Sequence, residues 1–213
     1  MAIELKEIEK KYDNKIIFEN LNMKFEKGKL TVVYGKSGCG KTTLLNIVGL
    51  LEKTTKGRIL YDGVVIDSKK KIEKILRERV GFVLQNFGLI DNFTVFENFM
   101  IINRVKKMKN NRIEIDNILK KLNLENCIDQ KVYELSGGEQ QRISIAKLML
   151  KNPDIILADE PTASLDAENK IIILNEFKKL LNEGKTIIVV SHDAEIIDLA
   201  DIKINLMDFC KSK

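Results

Sequence analysis

One octet limits the possible folds more than any other part of the chain: Gly35-Lys36-Ser37-Gly38-Cys39-Gly40-Lys41-Thr42. It fits the spacing G-x-x-x-x-G-K-[ST], follows the continuous apolar run Leu30 to Tyr34, and precedes the helical pattern Thr43-Leu44-Leu45-Asn46-Ile47-Val48. A strand, a glycine-rich turn and a helix in that order turn backbone N–H groups inward around phosphate oxygens. The helix presents its positive end to the same anion. The Lys41 ammonium then reaches the β- and γ-phosphates of a nucleoside triphosphate, ATP being the expected one, and the Thr42 hydroxyl holds Mg²⁺. A bare glycine-rich turn with a surface lysine would need neither flanking element, and both are present. Cys39 lies inside the loop near a helix N-terminus, where a thiolate is favoured, so its alkylation is expected to slow when nucleotide binds.

Around this loop the periodicity changes along the chain. Leu21, Met23 and Phe25 alternate with polar residues, a Lys27-Gly28 turn follows, and Gly57 to Ile66 with its central Asp62-Gly63 reads as a hairpin, so the first third is expected to be mostly short strands. Lys69 to Arg79 reads as helix, Val80 to Leu84 as strand, and Val95 to Leu122 as helical around a break near Asn110. Then Ile155 to Leu157, Ile171 to Leu181, Thr186 to Val190 and Ile196 to Ala200 alternate as buried strands and helices, the mark of a parallel sheet. The expected fold class is α/β: a P-loop NTPase core with a parallel sheet, an N-terminal antiparallel β subdomain and an inserted α-helical subdomain. At 213 residues this is one domain, with about 1–84 and 152–213 as catalytic core plus β subdomain and about 85–151 as helical subdomain.

Pro153-Asp154-Ile155-Ile156-Leu157-Ala158-Asp159-Glu160 is an apolar run ending in two acids. In open parallel sheets ligands bind beyond the carboxyl ends of the strands, which sets both carboxylates beside the phosphate loop. Asp159 then holds Mg²⁺ directly or through another ligand of the metal, and Glu160 is the candidate general base for the attacking water. Without the loop, two acids after a strand would more simply cap the next helix. Gln85 at the end of its strand and His192 after Thr186 to Val190 project from the same edge. The histidine is placed to bond the γ-phosphate or the water, and the glutamine to touch metal or water.

A second octet, Leu135-Ser136-Gly137-Gly138-Glu139-Gln140-Gln141-Arg142, opens a long helical pattern, and Ser136 with Glu139 satisfies the S-x-x-E capping box. Two glycines just inside a helix cost roughly 1 kcal/mol each against alanine, which points to close backbone approach by a phosphate at a helix end suited to one.

The loop Gly35 to Thr42, the octet Leu135 to Arg142, the run Ile155 to Glu160 and His192 together resemble the ATP-binding subunits of ABC transporters, over essentially the whole chain. The resemblance implies a head-to-tail homodimer with two ATP molecules sandwiched between chains, in which Ser136, Gly137 and Gly138 contact the γ-phosphate bound to the opposite subunit. It also implies that Tyr12 stacks on adenine, that Thr43 joins the phosphate contacts, and that Ser164-Leu165-Asp166 communicates between the two sites. Glu139 stands where glutamine is frequent in the family, and Lys147-Leu148 where an Arg-Ala pair is common.

Within the family the segment Gln85 to Asn98 and the doubled Gln140-Gln141 resemble the MacB, LolD and FtsE-like group, which works beside a separate integral membrane permease in export or force transmission. A cell-division or regulatory ATPase and a soluble non-transport ABC ATPase are the alternatives. Phe87, Phe93, Phe96 and Phe99 fall in one stretch, and such a cluster suits a groove for a permease helix or, residue by residue, core packing. Three cysteines, Cys39, Cys127 and Cys210, are widely spaced and suit a reducing compartment without a zinc site. No signal peptide or membrane-length span is read, so the expected place is the cytoplasm, at the inner face of the cell membrane through the permease. The net charge of +5 is spread over runs such as Lys69 to Lys71 and Lys106 to Lys109, which read as solvated helix faces, and no nucleic acid is expected.

Overall fold

The computed structural model describes residues 3–13, 15–106, 112–163 and 165–209. It opens with two long strands, β1 (Ile3–Tyr12) and β2 (Lys15–Phe25), paired antiparallel. Short strands were expected in this part of the chain. The pairing carries a bulge: Glu7 and Asn20 both adopt φ of 53°, the register slips between Leu5 and Ile8, and Ile8 returns to the buried face beside Ile3 and Leu5.

After β3 (Leu30–Tyr34) and α1 (Lys41–Val48) come β4 (Lys56–Tyr61) and β5 (Val64–Val65), giving an antiparallel sheet of order β2-β1-β4-β5. Asp62 and Gly63, with φ of 47° and 81°, make the two-residue turn whose twist matches a hairpin. Ser68 caps α2 (Lys69–Glu78) by accepting the Lys71 N–H, and β6 (Val80–Val83) follows. Helices α3 (Val95–Lys106), α4 (Arg112–Lys120) and α5 (Gly137–Lys151) pack on one another. The rest alternates: β7 (Ile155–Asp159), α6 (Ala167–Asn182), β8 (Thr186–Val190), α7 (Ala194–Leu199) and β9 (Ile202–Asn205).

The second sheet is parallel throughout, in the order β6-β7-β8-β3-β9. Every residue of β7 and β8 is buried, which is why these strands read as unbroken apolar runs. Val33, Ile155, Leu157, Ile188 and Val190 face α1 and the antiparallel sheet. Val32, Ile156, Ala158, Ile187 and Val189 face the opposite way, into a core continuous with Phe99, Ile115 and Ile143 of the helical group. The carboxyl ends of β3, β7 and β8 therefore share one edge of the molecule.

Several elements differ from the sequence reading. Helix α6 begins at Ala167, ahead of Ile171, and Ile171 points to solvent. Strand β6 stops at Val83, so Gln85 sits on a turn beyond it. Strand β9 was not anticipated, because four residues at a sheet edge, three half-buried and one exposed, carry too little pattern. The break near Asn110, together with Ser164 and Cys210, lies outside the described residues.

Candidate active site

The phosphate loop leaves β3 at Tyr34 and enters α1 at Lys41. Gly40, at the N-cap of α1, has φ of 99°, and a Cβ there would meet Ile17 Cγ2 at 2.8 Å and the Phe18 ring at 3.0 Å, so only glycine fits. Lys41 folds back over the loop, its Nζ donating to the carbonyl oxygens of Gly35 at 2.9 Å and Lys36 at 3.3 Å. Cys39 is half-buried, and its backbone N–H donates to Lys36 O.

Beside the loop is a cleft of about 410 Å³ lined by Tyr12, Lys15, Ile17, Ser37, Gly38, Gly40, Lys41, Thr42, Thr43, Gln85, Asp159 and Glu160. Tyr12 is 44% exposed at its mouth, too open for a core residue; Lys10 Nζ lies 4.5 Å from its ring centre, and its hydroxyl bonds Glu52. Asp159, the last residue of β7, is buried. Burial pushes its carboxyl above the usual range and the neighbouring Glu160 adds to that, while a hydrogen bond from Thr42 and the Lys41 charge oppose it.

Glu160 follows with φ of 47°, and its N–H donates to Val190 O at 2.9 Å. Its side chain is gripped on both oxygens: Ser191 Oγ donates to Oε2 at 3.2 Å, and His192 Nδ1 lies 2.8 Å from Oε1. His192 is otherwise exposed and joins the cleft through Glu160. Sequence reasoning singled out neither Ser191 nor the cleft-lining Lys15 and Ile17; the only signal for Ser191 was its place after β8, next to His192.

Ser136, Gly137 and Gly138 do not line this cleft. Ser136 caps α5, accepting Glu139 N–H and donating its hydroxyl to Glu139 Oε2 at 2.7 Å, while its own N–H donates to Oε2 at 2.8 Å. Asp166 caps α6 by accepting Asn169 N–H at 2.8 Å, and that backbone bond, followed by the Asn169 side chain, holds its carboxyl below the usual range. The four phenylalanines separate: Phe99 is fully buried, Phe96 packs on the core with Arg112 over its ring, Phe87 is half-buried near Gly137, and Phe93 is 40% exposed.

Hard oxygen donors at Thr42, Asp159 and Gln85 suit Mg²⁺ completed by phosphate oxygens and water. Among the described residues no group of three or more His, Cys, Asp or Glu could hold a metal ion by itself.

A phosphate loop between a parallel strand and a helix, with acids at the carboxyl end of another strand of the same sheet, defines a P-loop nucleoside triphosphatase. Residues 18–163 match the ABC transporter family model, and the chain belongs to that family. It is 39% identical to the lipoprotein-releasing system ATP-binding protein LolD of Buchnera aphidicola, over 87% of this chain and 83% of that protein. It is 36% identical to the macrolide export ATP-binding/permease protein MacB of Campylobacter jejuni over 96% of its length, which is 32% of that longer protein. Among solved structures it superposes on the dimeric bacterial ABC transporter cassette MJ0796 with a TM-score of 0.87 and 35% identity, covering 96% of this chain and 94% of that one. The same cassette in a dimeric post-hydrolysis state bound to ADP and Pi gives a TM-score of 0.81 at 33% identity, with the same coverage. The chain is an ATP-binding cassette and an ATPase. No helix among its described residues is long and apolar enough to cross a membrane.

Proposed function

We propose that two copies of this chain close head-to-tail on two ATP molecules and drive a separate membrane permease by export or force transmission, from the inner, cytoplasmic face of the membrane. The observation that carries this reading is the split of the site. Tyr12, the phosphate loop, Gln85, Asp159 and Glu160 share one cleft, while the capped start of α5 at Ser136 to Gly138 lies outside it. A helix N-terminus with two glycines becomes a phosphate contact only when a second chain brings its cleft to it. The chain then divides its labour between a catalytic core, about 1–84 and 152–213, and a helical part, about 85–151.

In this reading the loop backbone and Lys41 bind the phosphates, and Tyr12 stacks on adenine. Thr42, Asp159 and Gln85 hold Mg²⁺, which when bound neutralises phosphate charge. Glu160 takes the proton of the attacking water, its carboxylate aimed by Ser191 and His192. Asp166 serves communication between sites. The names of the relatives LolD and MacB support the export or force-transmission reading.

The test is Glu160→Gln. Turnover should fall by roughly 10²-fold or more, while size-exclusion chromatography with ATP should reveal a stable dimer. A Glu160→Gln chain that still turns over, or stays monomeric with ATP, refutes the reading.

A further inference from the structure

The first turn of α6 makes polar contacts in two directions from adjacent residues. On one side, Asn169 Nδ2 donates to both Asp166 carboxylate oxygens, at 3.0 and 2.8 Å, and its Oδ1 accepts from Arg142 of α5. A carboxylate only accepts and a guanidinium only donates, so the orientation of the amide is fixed. That amide also lies directly against the start of α5, with Nδ2 2.7 Å from where a Gly138 Cβ would stand.

On the other side, Lys170 Nζ lies 2.8 Å from Asp193 Oδ2, the two side chains being only 18% and 17% exposed. The same oxygen accepts from Thr162 Oγ1 at 2.9 Å. Asp193 N–H donates to Ser191 Oγ at 3.1 Å, and that hydroxyl donates to Glu160 Oε2. Polar contacts therefore reach from Arg142 to Asn169 and from Lys170 to the loop that grips Glu160, the two joined by the backbone of one helical turn that lies against Gly138.

We infer that Asn169 and Lys170 are positioning residues that make this turn a coupler: a shift of the α5 start moves the His192 loop and Glu160 of the same chain. Neighbours on one helical turn cannot be displaced independently without breaking it. The inference rests on the proposed reading in which the α5 start touches nucleotide held by the second chain. Under it, closure on the partner's ATP aligns the carboxylate at the chain's own ATP, and the two sites act together.

The experiment is a double-mutant cycle in the full chain with Asn169→Ala and Lys170→Met, reading kcat, KM for ATP and the Hill coefficient. Each single change should lower kcat about tenfold with KM little altered and cooperativity reduced. The double variant should be no worse than the weaker single, and Lys170→Arg should restore most of the rate. Multiplied losses, a wild-type Hill coefficient of one, or no rescue by arginine overturns the coupler. If Asn169→Ala does not fold, Asn169→Ser replaces it in the cycle and is judged by the same outcomes. The dimer reading fails separately, if Glu160→Gln forms no ATP-bound dimer; a dimer with multiplied losses sinks only the coupler.

Discussion

Alanine at position 137 separates what this glycine does for folding from what it does for turnover. A Cβ at 137 would meet only the Phe87 ring, at 3.8 Å, an ordinary van der Waals distance. The chain's own structure therefore accepts the methyl group, and helix propensity favours it by up to about 1 kcal/mol, less at a first helical position. Taking about half of that, a chain of this size should melt about 1–2 °C higher. Position 138 is the contrast. There a Cβ would lie 2.7 Å from Asn169 Nδ2 and 2.9 Å from its Cγ, so Asn169 must leave its places on Asp166 and Arg142. Two or three hydrogen bonds worth about 1 kcal/mol each outweigh the propensity gain, and Gly138→Ala should melt about 3–10 °C lower. Turnover should follow a different pattern. If a phosphate approaches the backbone here from a second chain, Gly137→Ala loses roughly 10²-fold, as when one preorganised donor is withdrawn. Calorimetry and steady-state ATP hydrolysis on the same preparations decide it. A Gly137→Ala chain that melts higher and hydrolyses normally refutes close approach at 137, and a Gly138→Ala chain that melts higher refutes the packing argument.

Burial pushes the Lys147 ammonium from 10.5 down to about 8, so its charge costs more in the folded chain than in the unfolded one. That penalty is full below about pH 8 and lifts as pH rises toward 10.5. Lys147→Met should therefore raise the melting temperature at neutral pH, by less than the charge penalty alone because the Nζ bond to Gly88 O at 2.7 Å is lost, with the gain fading across that window; a gain independent of pH would exclude charge burial as its source. Phe99→Asp should unfold the chain, since deleting a buried phenylalanine alone costs about 3–5 kcal/mol, whereas Phe93→Asp should keep the fold and basal hydrolysis while losing stimulation by the permease. Circular dichroism and reconstituted ATPase assays separate the two, and an unfolded Phe93→Asp would move that residue into the core. Cys39 sits under the loop, its Sγ 3.0 Å from where a Gly35 Cβ would stand, and its alkylation should slow with ATP; equal rates with and without nucleotide would remove that expectation.

Features made by neighbours in sequence were the legible ones. The phosphate loop, the Asp62-Gly63 turn, the Ser136–Glu139 cap and the two acids ending β7 each depend on spacing within about one turn or one strand. The parallel sheet was legible because strands buried on both faces have no polar alternation to confuse them. What escaped depends on contacts across the chain. The Glu7 bulge hid the length of β1, since one extra residue inverts the apparent alternation. Spacing could not sort Phe93, just ahead of α3, from Phe99 within it, because burial there is set by the packing of α3 on α5. Asn169 and Lys170 carried no local signal at all; their partners Arg142 and Asp193 come from other segments.

Glu160 holds φ of 47° and is pinned there by its N–H on Val190 O and by Ala163 N–H on its own carbonyl. An L-residue in this conformation is worse off by about 1–2 kcal/mol than glycine. Backbone strain by itself would therefore discard glutamate at this position. A library of position-160 variants sorted only for thermal endurance should enrich glycine, and the same library sorted for ATP turnover should return glutamate. The disagreement between the two sorted pools would measure, at one residue, how far the demands of turnover and of folding pull apart.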